Sequence, residues 1–215
     1  WVRAMGVGGT NTEFSSLTVS GVTFSTVTGP SAPGAQSIQV SSTSITVYLT
    51  ANGNGAGTVF TISTGSFETL NSSSALSVVG LTTLTISGLT PASNYLVQAR
   101  AFGLTPSSPT SVTASTYTLA AVPTLNSFQV YTSSVSITLG SGNNPVGTRL
   151  MVSTGTGFFF SVANSSHGIV AGAATTLTII GLSTNAAYSF QAGAVDPTVS
   201  AATQSAVVVT STYTL

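Results

Sequence analysis

The sequence predicts an all-β chain built from two β-sandwich modules in series. Residues 84–88 and 95–101 alternate apolar and polar side chains on either side of a corner that contains Pro91. Alternation around such a corner is typical of two strands that cross from one sheet to another. The same arrangement recurs about 90 residues further along the chain. The corner, the alternation and the repeat together favour a tandem of sandwiches.

The corner carries the most specific pattern in the chain. Residues 89–95 read Leu-Thr-Pro-Ala-Ser-Asn-Tyr, and Tyr95 opens the second of the two strands. A tyrosine there is placed to fold its ring over the corner and to bond a backbone group upstream, the arrangement called a tyrosine corner. The pattern of Leu89, Pro91 and Tyr95 resembles the E–F corner of fibronectin type III domains. The resemblance implies an immunoglobulin-like β-sandwich and by itself implies no activity.

An internal repeat indicates two complete modules. The matched blocks are residues 40–65 with 130–155, 84–86 with 177–179, and 115–119 with 211–215. A period of about 90 to 100 residues is typical of one immunoglobulin-like sandwich per repeat. We therefore predict a fibronectin type III-like module over residues 31–120 and a second one over residues 121–215. The linker between them is short and contains proline, which favours a semi-rigid rod.

The second module departs from the fibronectin type III pattern at its corner. Leu182 and Tyr188 are kept there, but the proline between them is missing. Both modules also lack the tryptophan that these domains usually carry on strand B, and Leu49 and Leu139 occupy its place. Smaller core residues are tolerated where the total core volume is kept. We therefore expect slimmer cores in both modules.

The first thirty residues resemble a part of a module. Residues 2–6 resemble residues 99–103, the strand after the corner, and residues 17–24 resemble the closing strand, residues 112–117. Residues 1–30 thus look like the last two strands of an incomplete module. Because an isolated two-stranded ribbon is marginally stable in water, two explanations stay open. The chain is a fragment of a longer array, or the hairpin completes a sheet in a neighbouring subunit by strand addition.

The composition indicates a surface that other molecules or attached sugars cover. Charged residues make up 3% of the chain and its formal net charge is zero, whereas about 25% of the residues in a typical soluble domain are charged. The mean hydropathy of +0.48 argues against disorder. Strand edges without charges lack the usual protection against pairing with other chains. We therefore expect a homo-oligomer or polymer, a coat of glycans, or both.

Two sequence positions are candidates for glycans. Asn71 and Asn164 each begin an Asn-x-Ser acceptor sequence, in the same region of the two repeats. We expect that region to be a solvent-facing loop between the middle strands. Such sequences also arise by chance in a chain rich in serine and threonine, so an unmodified pair is the alternative. O-linked sugars on the hydroxyl-rich surface are a further expectation.

The reactive side chains of the sequence predict no enzyme. His167 is the only histidine and Asp196 the only aspartate, and in this fold their segments are not expected to converge into a triad. The two glutamates, Glu13 and Glu68, lie in different parts of the chain and form no carboxylate pair with Asp196. Without cysteine or a cluster of acids there is no predicted metal site and no disulfide. We expect no cofactor.

Other binding classes are also disfavoured. Three separated arginines cannot make the basic patch that nucleic-acid binding requires. The longest apolar stretch, residues 168–182, is too short and too polar to span a membrane. The glycine-rich segments, residues 52–57 and 141–147, precede strands and are interpreted as turns that use positive φ, without a phosphate-binding helix.

One aromatic run stands apart from the otherwise scattered aromatic residues. In a strand, successive side chains point to opposite faces, so at least one of Phe158, Phe159 and Phe160 points outward. Such a ring is a candidate contact with another subunit or with a sugar face. An ordinary exposed aromatic residue is the alternative interpretation.

The sequence therefore favours a structural protein. We predict a subunit of an extracellular filament, sheath or surface layer that assembles through low-charge sandwich contacts, with strand complementation as a further route. The alternative is a spacer, or an adhesion or carbohydrate-binding segment, of a larger secreted protein; a viral fibre also fits the sequence. The absence of cysteine and lysine favours an extracellular or cell-surface protein of a microbe.

Overall fold

The computed structural model of the chain describes ten stretches of residues, and all regular structure within them is β-strand. The stretches are residues 18–19, 22–23, 29–64, 72–76, 81–102, 112–154, 165–170, 172, 174–196 and 208–215. The all-β class predicted from the sequence is therefore confirmed.

The first two strands form a small sheet of their own. Strand β1 (Thr18–Val19) pairs antiparallel with strand β2 (Val22–Thr23). The resemblance compared residues 17–24 with one closing strand, and in the structure residues 18–19 and 22–23 belong to two paired strands. The sequence between the two strands is Ser-Gly, a dipeptide that marks turns. The assignment of residues 1–30 to an incomplete module or a donor hairpin stays a prediction, because residues 1–17 lie outside the described stretches.

The next seven strands form two antiparallel sheets, which together we name the first module. The strands are β3 (Gly34–Val40), β4 (Ser44–Thr50), β5 (Val59–Thr64), β6 (Ser72–Leu76), β7 (Leu81–Ser87), β8 (Asn94–Phe102) and β9 (Val112–Tyr117). One sheet has the order β3-β4-β7 and the other has the order β6-β5-β8-β9. The connection from β7 to β8 crosses between the sheets at the corner predicted from residues 89–95.

The last seven strands repeat this topology and form the second module. The strands are β10 (Thr124–Val130), β11 (Ser134–Gly140), β12 (Arg149–Thr154), β13 (Ser165–Ile169), β14 (Ala174–Ile180), β15 (Ala187–Val195) and β16 (Val208–Tyr213). The sheet orders are β10-β11-β14 and β13-β12-β15-β16, so each strand has a counterpart in the first module. The chain is therefore a tandem of two immunoglobulin-like sandwiches.

Each module packs its two sheets around its own apolar core. Alternate residues of β4 and β11 point inward, and among them Leu49 and Leu139 are fully buried. Aliphatic side chains thus fill the place where the family pattern has tryptophan. The other buried residues of the first core come from both sheets and include Ile45, Val47, Phe60, Ile62, Leu84, Ile86, Leu89 and Val97. Those of the second include Val135, Ile137, Leu150, Val152, Leu177, Ile179, Leu182 and Phe190.

The glycine-rich segments are turns, as predicted. Asn52 and Gly53 have φ of +49° and +83°, and their counterparts Gly142 and Asn143 have φ of +64° and +68°. Each pair combines the two residue types that most readily adopt the left-handed conformation, in opposite order. The order of the pair therefore matters less to the turn than the presence of two residues that tolerate positive φ.

The segments that follow the two acceptor asparagines are not loops. The prediction of a solvent-facing loop between the middle strands is wrong for residues 72–76 and 165–169, which form β6 and β13. β6 pairs with β5 and β13 pairs with β12, each at the edge of a four-stranded sheet. These runs are rich in serine and have weak intrinsic strand preference, so their conformation depends on the neighbouring strand.

Candidate functional site

Tyrosine hydroxyls close the two corners between the sheets. The Tyr95 hydroxyl accepts a hydrogen bond from the Thr90 N–H at 2.9 Å, and the Tyr188 hydroxyl accepts one from the Ser183 N–H at 2.8 Å. Both tyrosines pack against the core of their own module. The geometry is the same in the two modules although only the first corner contains proline. These contacts hold the sandwich together and offer no reactive group.

The corners differ in what surrounds them. Leu89 and Leu182 are buried in both modules, and Pro91 is buried in the first. The next residue, Ala92, is buried and has a φ of +45°, whereas its counterpart Asn185 is exposed and has a φ of +53°. The left-handed conformation suits asparagine and is costly for alanine. Ala92 is a small apolar residue in the buried cluster at the junction between the modules.

A short linker joins the modules, and its backbone is bound into the second one. β9 ends at Tyr117 and β10 begins at Thr124. The Oδ1 atom of Asn144 accepts a hydrogen bond from the Ala121 N–H at 2.7 Å. Its Nδ2 atom donates to the carbonyl oxygens of Ala121 at 2.8 Å and Ser141 at 2.6 Å. Asn144 is only 6% exposed, so solvent cannot replace these bonds without opening the junction.

The same asparagine clamp is present at the start of the first module. The Oδ1 atom of Asn54 accepts a hydrogen bond from the Ser31 N–H at 2.8 Å, and its Nδ2 atom donates to the carbonyls of Ser31 and Ala51 at 2.8 and 2.7 Å. Asn54 is more exposed than Asn144. The clamp is therefore a property of the sandwich, and the asparagine at its centre is more deeply buried beside the linker than at the start of the first module.

Apolar contacts complete the junction. Ala92, from the corner of the first module, and Ala120, from the linker, belong to the same buried cluster as the core of the second module. A Cβ atom at Gly142 would fall against the carbonyl oxygen of Val122 and lie 3.2 Å from the Cα atom of Pro123. The turn of the second module thus touches the linker backbone directly. The second module sits on the end of the first in a defined contact.

The three-stranded sheets present faces of hydroxyl groups. No charged residue occurs in any of their six strands, which are β3, β4, β7, β10, β11 and β14. Exposed hydroxyls bond to each other across neighbouring strands, a form of cross-strand pairing that stabilises a sheet. The pairs are Thr46 with Thr85 at 2.9 Å, Ser136 with Thr178 at 2.8 Å and Thr138 with Thr176 at 2.9 Å.

Several residues singled out by the sequence lie outside the described stretches. They are the acceptor asparagines Asn71 and Asn164 and the aromatic run Phe158, Phe159 and Phe160. The strands that follow the two asparagines in the sequence, β6 and β13, are described and lie at sheet edges. Their modification, and the contact role of the aromatic rings, stay predictions.

The structure brings no catalytic set together in the part of the chain that it describes. The backbone of His167 lies in β13 opposite Met151, and Asp196 follows β15. β12 separates β13 from β15 in the sheet, so the backbones of the histidine and the aspartate are not on adjacent strands. No group of three His, Cys, Asp or Glu side chains is found among the described residues. The described residues also include no helix long and apolar enough to cross a membrane.

The residues that form the junction are not evident from the sequence. The pattern around Asn54 and Asn144 indicates only turns, although these asparagines occupy the same position in the two repeats. A signal was present, because the residue before each of them already supplies the left-handed turn. A polar residue that recurs at the same position of both repeats, next to residues that already supply the positive φ, points to a side-chain contact. The two functional elements that geometry adds are the clamp and the buried alanine pair.

The sheet orders, the crossing corners and the tyrosine hydrogen bonds define a class of protein: a tandem of fibronectin type III-like β-sandwiches. The chain is similar to a segment of chicken tenascin that contains two fibronectin type III domains, with 15% sequence identity and a TM-score of 0.53. The alignment covers 87% of this chain and 100% of the tenascin segment. At this identity the similarity shows the fold.

The chain is also similar to the FN1–FN3 domains of chicken CNTN1. The sequence identity is 16% and the TM-score is 0.34, over 86% of this chain and 66% of that one. No family model and no curated protein matches the sequence.

Proposed function

We propose that the chain is a structural subunit of an extracellular filament, sheath or surface layer of a microbe. Its role is assembly, and it is not an enzyme. The modules act as rigid blocks, the junction fixes their spacing, and the uncharged outer faces pack against other subunits. The proposal requires neither a cofactor nor a nucleic-acid partner.

The junction is the observation that carries this proposal. A linker between independent domains would be solvated and free to bend. Here Asn144 holds both polar groups of Ala121, and Ala92 and Ala120 are buried in the core cluster of the second module. A tandem built this way transmits a fixed orientation from one module to the next. Fixed orientation is what a load-carrying or lattice-forming subunit needs.

The outer faces supply the means of lateral contact. The edge strands β3, β7, β10 and β14 carry no lysine or other charge that would oppose pairing with a neighbouring chain. The hydroxyl groups on the outer faces of these sheets are already paired in part. Burial of such a face against another subunit therefore leaves few polar atoms without a hydrogen bond. These faces support a homopolymer as the partner, with strand addition by residues 1–30 as a further route.

Electron microscopy of the purified native material tests the proposal. We expect regular filaments or sheets. A Thr178→Lys variant should disperse them, because it places an unpaired charge on a charge-free face; a Ser189→Lys variant is the matched control, since Ser189 is exposed on the four-stranded sheet of the same module. Monodisperse short rods from the unaltered protein would overturn the filament assignment.

We also propose that glycans cover part of the surface. Mass spectrometry of the intact protein, before and after enzymatic removal of N-linked sugars, measures their presence directly. We expect a mass above that of the bare chain, lowered by Asn71→Gln and by Asn164→Gln separately. A bare mass in the native material would contradict the glycan proposal and leave subunit packing as the cover.

A spacer in a larger secreted protein is the second candidate function. The similarity to a two-domain segment of tenascin favours it, because that segment is itself a portion of a longer protein. As a spacer, or as an adhesion or carbohydrate-binding segment, the tandem would hold another part of the protein away from the cell. The same micrographs distinguish the two candidates: rods of constant length and constant angle favour the spacer, and lateral arrays favour the filament.

A further inference from the structure

One row of residues on the three-stranded sheet of the second module combines an exposed aromatic and an exposed aliphatic side chain. The Tyr131 N–H, one residue beyond β10, donates to the Ser134 carbonyl at 2.9 Å, and Ser134 pairs with Ile180 across β11 and β14. Tyr131 is 47% exposed and Ile180 is 71% exposed. We name Tyr131, Ser134 and Ile180 the outer row.

Alternation places all three side chains of the outer row on the same side of the sheet. Their neighbours in the chain, Val130, Val135 and Ile179, pack in or against the core of the second module. Successive side chains of a strand point to opposite faces. The outer row therefore lies on the face of the sheet that points away from the core.

A hydrogen bond orients the tyrosine ring of the outer row. The Tyr131 hydroxyl donates to the Oε1 atom of Gln129 at 3.0 Å, and Gln129 is an exposed residue of β10. Because this hydroxyl reaches back to a side chain of its own strand, the ring lies along the sheet. The bond occupies the amide oxygen, so the two N–H donors of the exposed Gln129 amide stay available to a ligand.

The equivalent row of the first module consists of serines. Ser41, Ser44 and Ser87 occupy the three positions in the same order, with the Ser41 N–H bonded to the Ser44 carbonyl at 2.9 Å and Ser44 paired with Ser87. Ser41 and Ser87 are exposed although a second module follows the first. A module that follows at the junction therefore leaves this row open, and the apolar side chains of the outer row are a feature of the second module.

The surroundings of the outer row are polar and uncharged. Beside it Ser136 faces both Gln129 and Thr178, and the hydroxyls of Ser136 and Thr178 lie 2.8 Å apart. No charged residue occurs in β10, β11 or β14. Neighbouring strands lie about 4.8 Å apart, so the backbones of Tyr131 and Ile180 are separated by about 10 Å. Only a serine side chain lies between them, and the gap is wide enough for one sugar ring.

We propose that the outer row binds an uncharged polysaccharide. The ring of Tyr131 and the side chain of Ile180 contact the apolar C–H groups of one sugar unit. The Gln129 amide donates to a sugar hydroxyl, and the hydroxyls of Ser136 and Thr178 accept or donate in the next row. A charged sugar is disfavoured, because the face offers no opposite charge. This inference deepens the second candidate function, the adhesion or carbohydrate-binding segment, and rests on it.

Calorimetric titration of the full chain tests the site. The probes are four uncharged β-1,4-linked hexasaccharides, of glucose, xylose, mannose and N-acetylglucosamine. We expect at least one of them to bind. Tyr131→Ser combined with Ile180→Ser gives the second module the serines of the first and should raise the dissociation constant about tenfold or more. The melting temperature should change little, because the first module carries serines at both positions.

Two further variants control for the chemistry and for the place of the site. Gln129→Glu keeps an acceptor for the Tyr131 hydroxyl but removes both N–H donors, and should raise the dissociation constant about fivefold. Tyr213→Ser removes a tyrosine of 69% exposure from the other sheet and should leave the affinity unchanged. The proposal is overturned if no hexasaccharide binds, or if the double variant binds as well as the unaltered chain.

The results also separate this inference from the proposed functions. Binding that survives both the double variant and Gln129→Glu would keep a carbohydrate-binding segment but overturn its location on the outer row. Filaments without binding would leave the filament standing and overturn the polysaccharide site. Filaments that bind no hexasaccharide and are dispersed by the double variant would make a second copy of the chain the occupant of the outer row, which also overturns the site. Binding lost in the double variant, from material that forms only rods, would support the site and remove the filament.

Discussion

The two modules share one topology, yet their ends are built from different residues. At the corner of the first module Pro91 and Ala92 are buried, and Ala92 belongs to the core cluster of the second module, whereas Thr184 and Asn185 at the matching corner are exposed. The tyrosine hydrogen bond is kept in both. The corner residues therefore have two roles. Tyrosine and leucine stabilise the sandwich, and the residues between them differ according to whether another module covers that end.

The two cores also differ in where they place their aromatic side chains. The first module buries Phe60 on β5, where the second has Leu150, and the second buries Phe190 on β15, where the first has Val97. Phe190 also makes an edge-to-face contact with Phe128, at a centroid distance of 5.4 Å. Each core thus keeps a fully buried aromatic ring on its four-stranded sheet, but on a different strand. The two cores keep a similar total side-chain volume but place the large ring on different strands.

The largest expected effect comes from removing these rings. Phe60→Ala and Phe190→Ala should each lower the free energy of unfolding of their own module by about 3 to 5 kcal/mol. Phe190→Ala should cost about 1 kcal/mol more, because it also ends the contact with Phe128. Hydrogen exchange read by mass spectrometry assigns the loss to the peptides of one module. Equal loss of protection in both modules would show that the tandem unfolds as one cooperative unit.

The asparagine clamps offer a comparison in which the bonds are matched and the burial differs. Asn144→Ala should lower the free energy of unfolding of the second module by about 3 kcal/mol, because the polar groups of Ala121 lose their partners in a buried site. Asn54→Ala removes the equivalent bonds at a more exposed site, where water can replace them, and should cost about 1 kcal/mol. Thermal and urea unfolding of both variants measure the difference. Similar losses would contradict the view that the junction excludes solvent from Asn144.

Much of the fold could be predicted from the sequence because its signals are local. The alternation in β4, β7 and β11 has a period of two, and the corner motif of Leu89 and Tyr95 fixes where the chain changes sheets. The repeat then carries each assignment to the second module. These features depend on few residues close together in the chain, so that a single sequence suffices to find them.

The rest could not be predicted because it depends on distant partners. The serine-rich strands β6 and β13 have no alternation and become strands only beside β5 and β12. At the candidate site, the exposure of Asn54 and the burial of Asn144 differ although the residue and its bonds are the same. The position of each asparagine in the tandem decides that difference, and this position cannot be read from the local sequence.

A reciprocal exchange between the modules gives a sharper test of their equivalence. In the first strand pair Gly34 faces Thr50, and in the second Thr124 faces Gly140, so the two residue types have traded places. A Cβ atom at Gly34 would lie 2.5 Å from the Thr50 Oγ1 atom. We expect Gly34→Thr to lower the free energy of unfolding of the first module by about 1 to 3 kcal/mol through overpacking.

The compensated double variant supplies the control for this exchange. Gly34→Thr combined with Thr50→Gly reproduces the pair found in the second module and should recover most of the loss. A double-mutant cycle by chemical unfolding measures the coupling between the two positions. An additive result would mean that the strands move apart to admit the side chain and that the glycine has no steric role.

The smallest expected effect concerns the left-handed residues of the two corners, and it bears most directly on the junction. Asn185→Ala places alanine at a φ of +53° on an exposed corner, and should lower the free energy of unfolding of the second module by about 1 kcal/mol. Asn185→Gly, which relieves the same strain, is the control and should be nearly neutral.

The reverse change should act on the linker instead of the module. Ala92→Asn relieves a φ of +45° but puts an amide into the buried cluster that Ala92 shares with Ala120. The two terms nearly cancel in the stability of the first module, since each amounts to about 1 kcal/mol. The amide should, however, force the module ends apart, so that the Ala121 N–H, which is bonded to Asn144, exchanges with solvent faster. Unchanged exchange at Ala121 would show that the strained alanine contributes nothing to the junction, which the asparagine clamp alone would then hold.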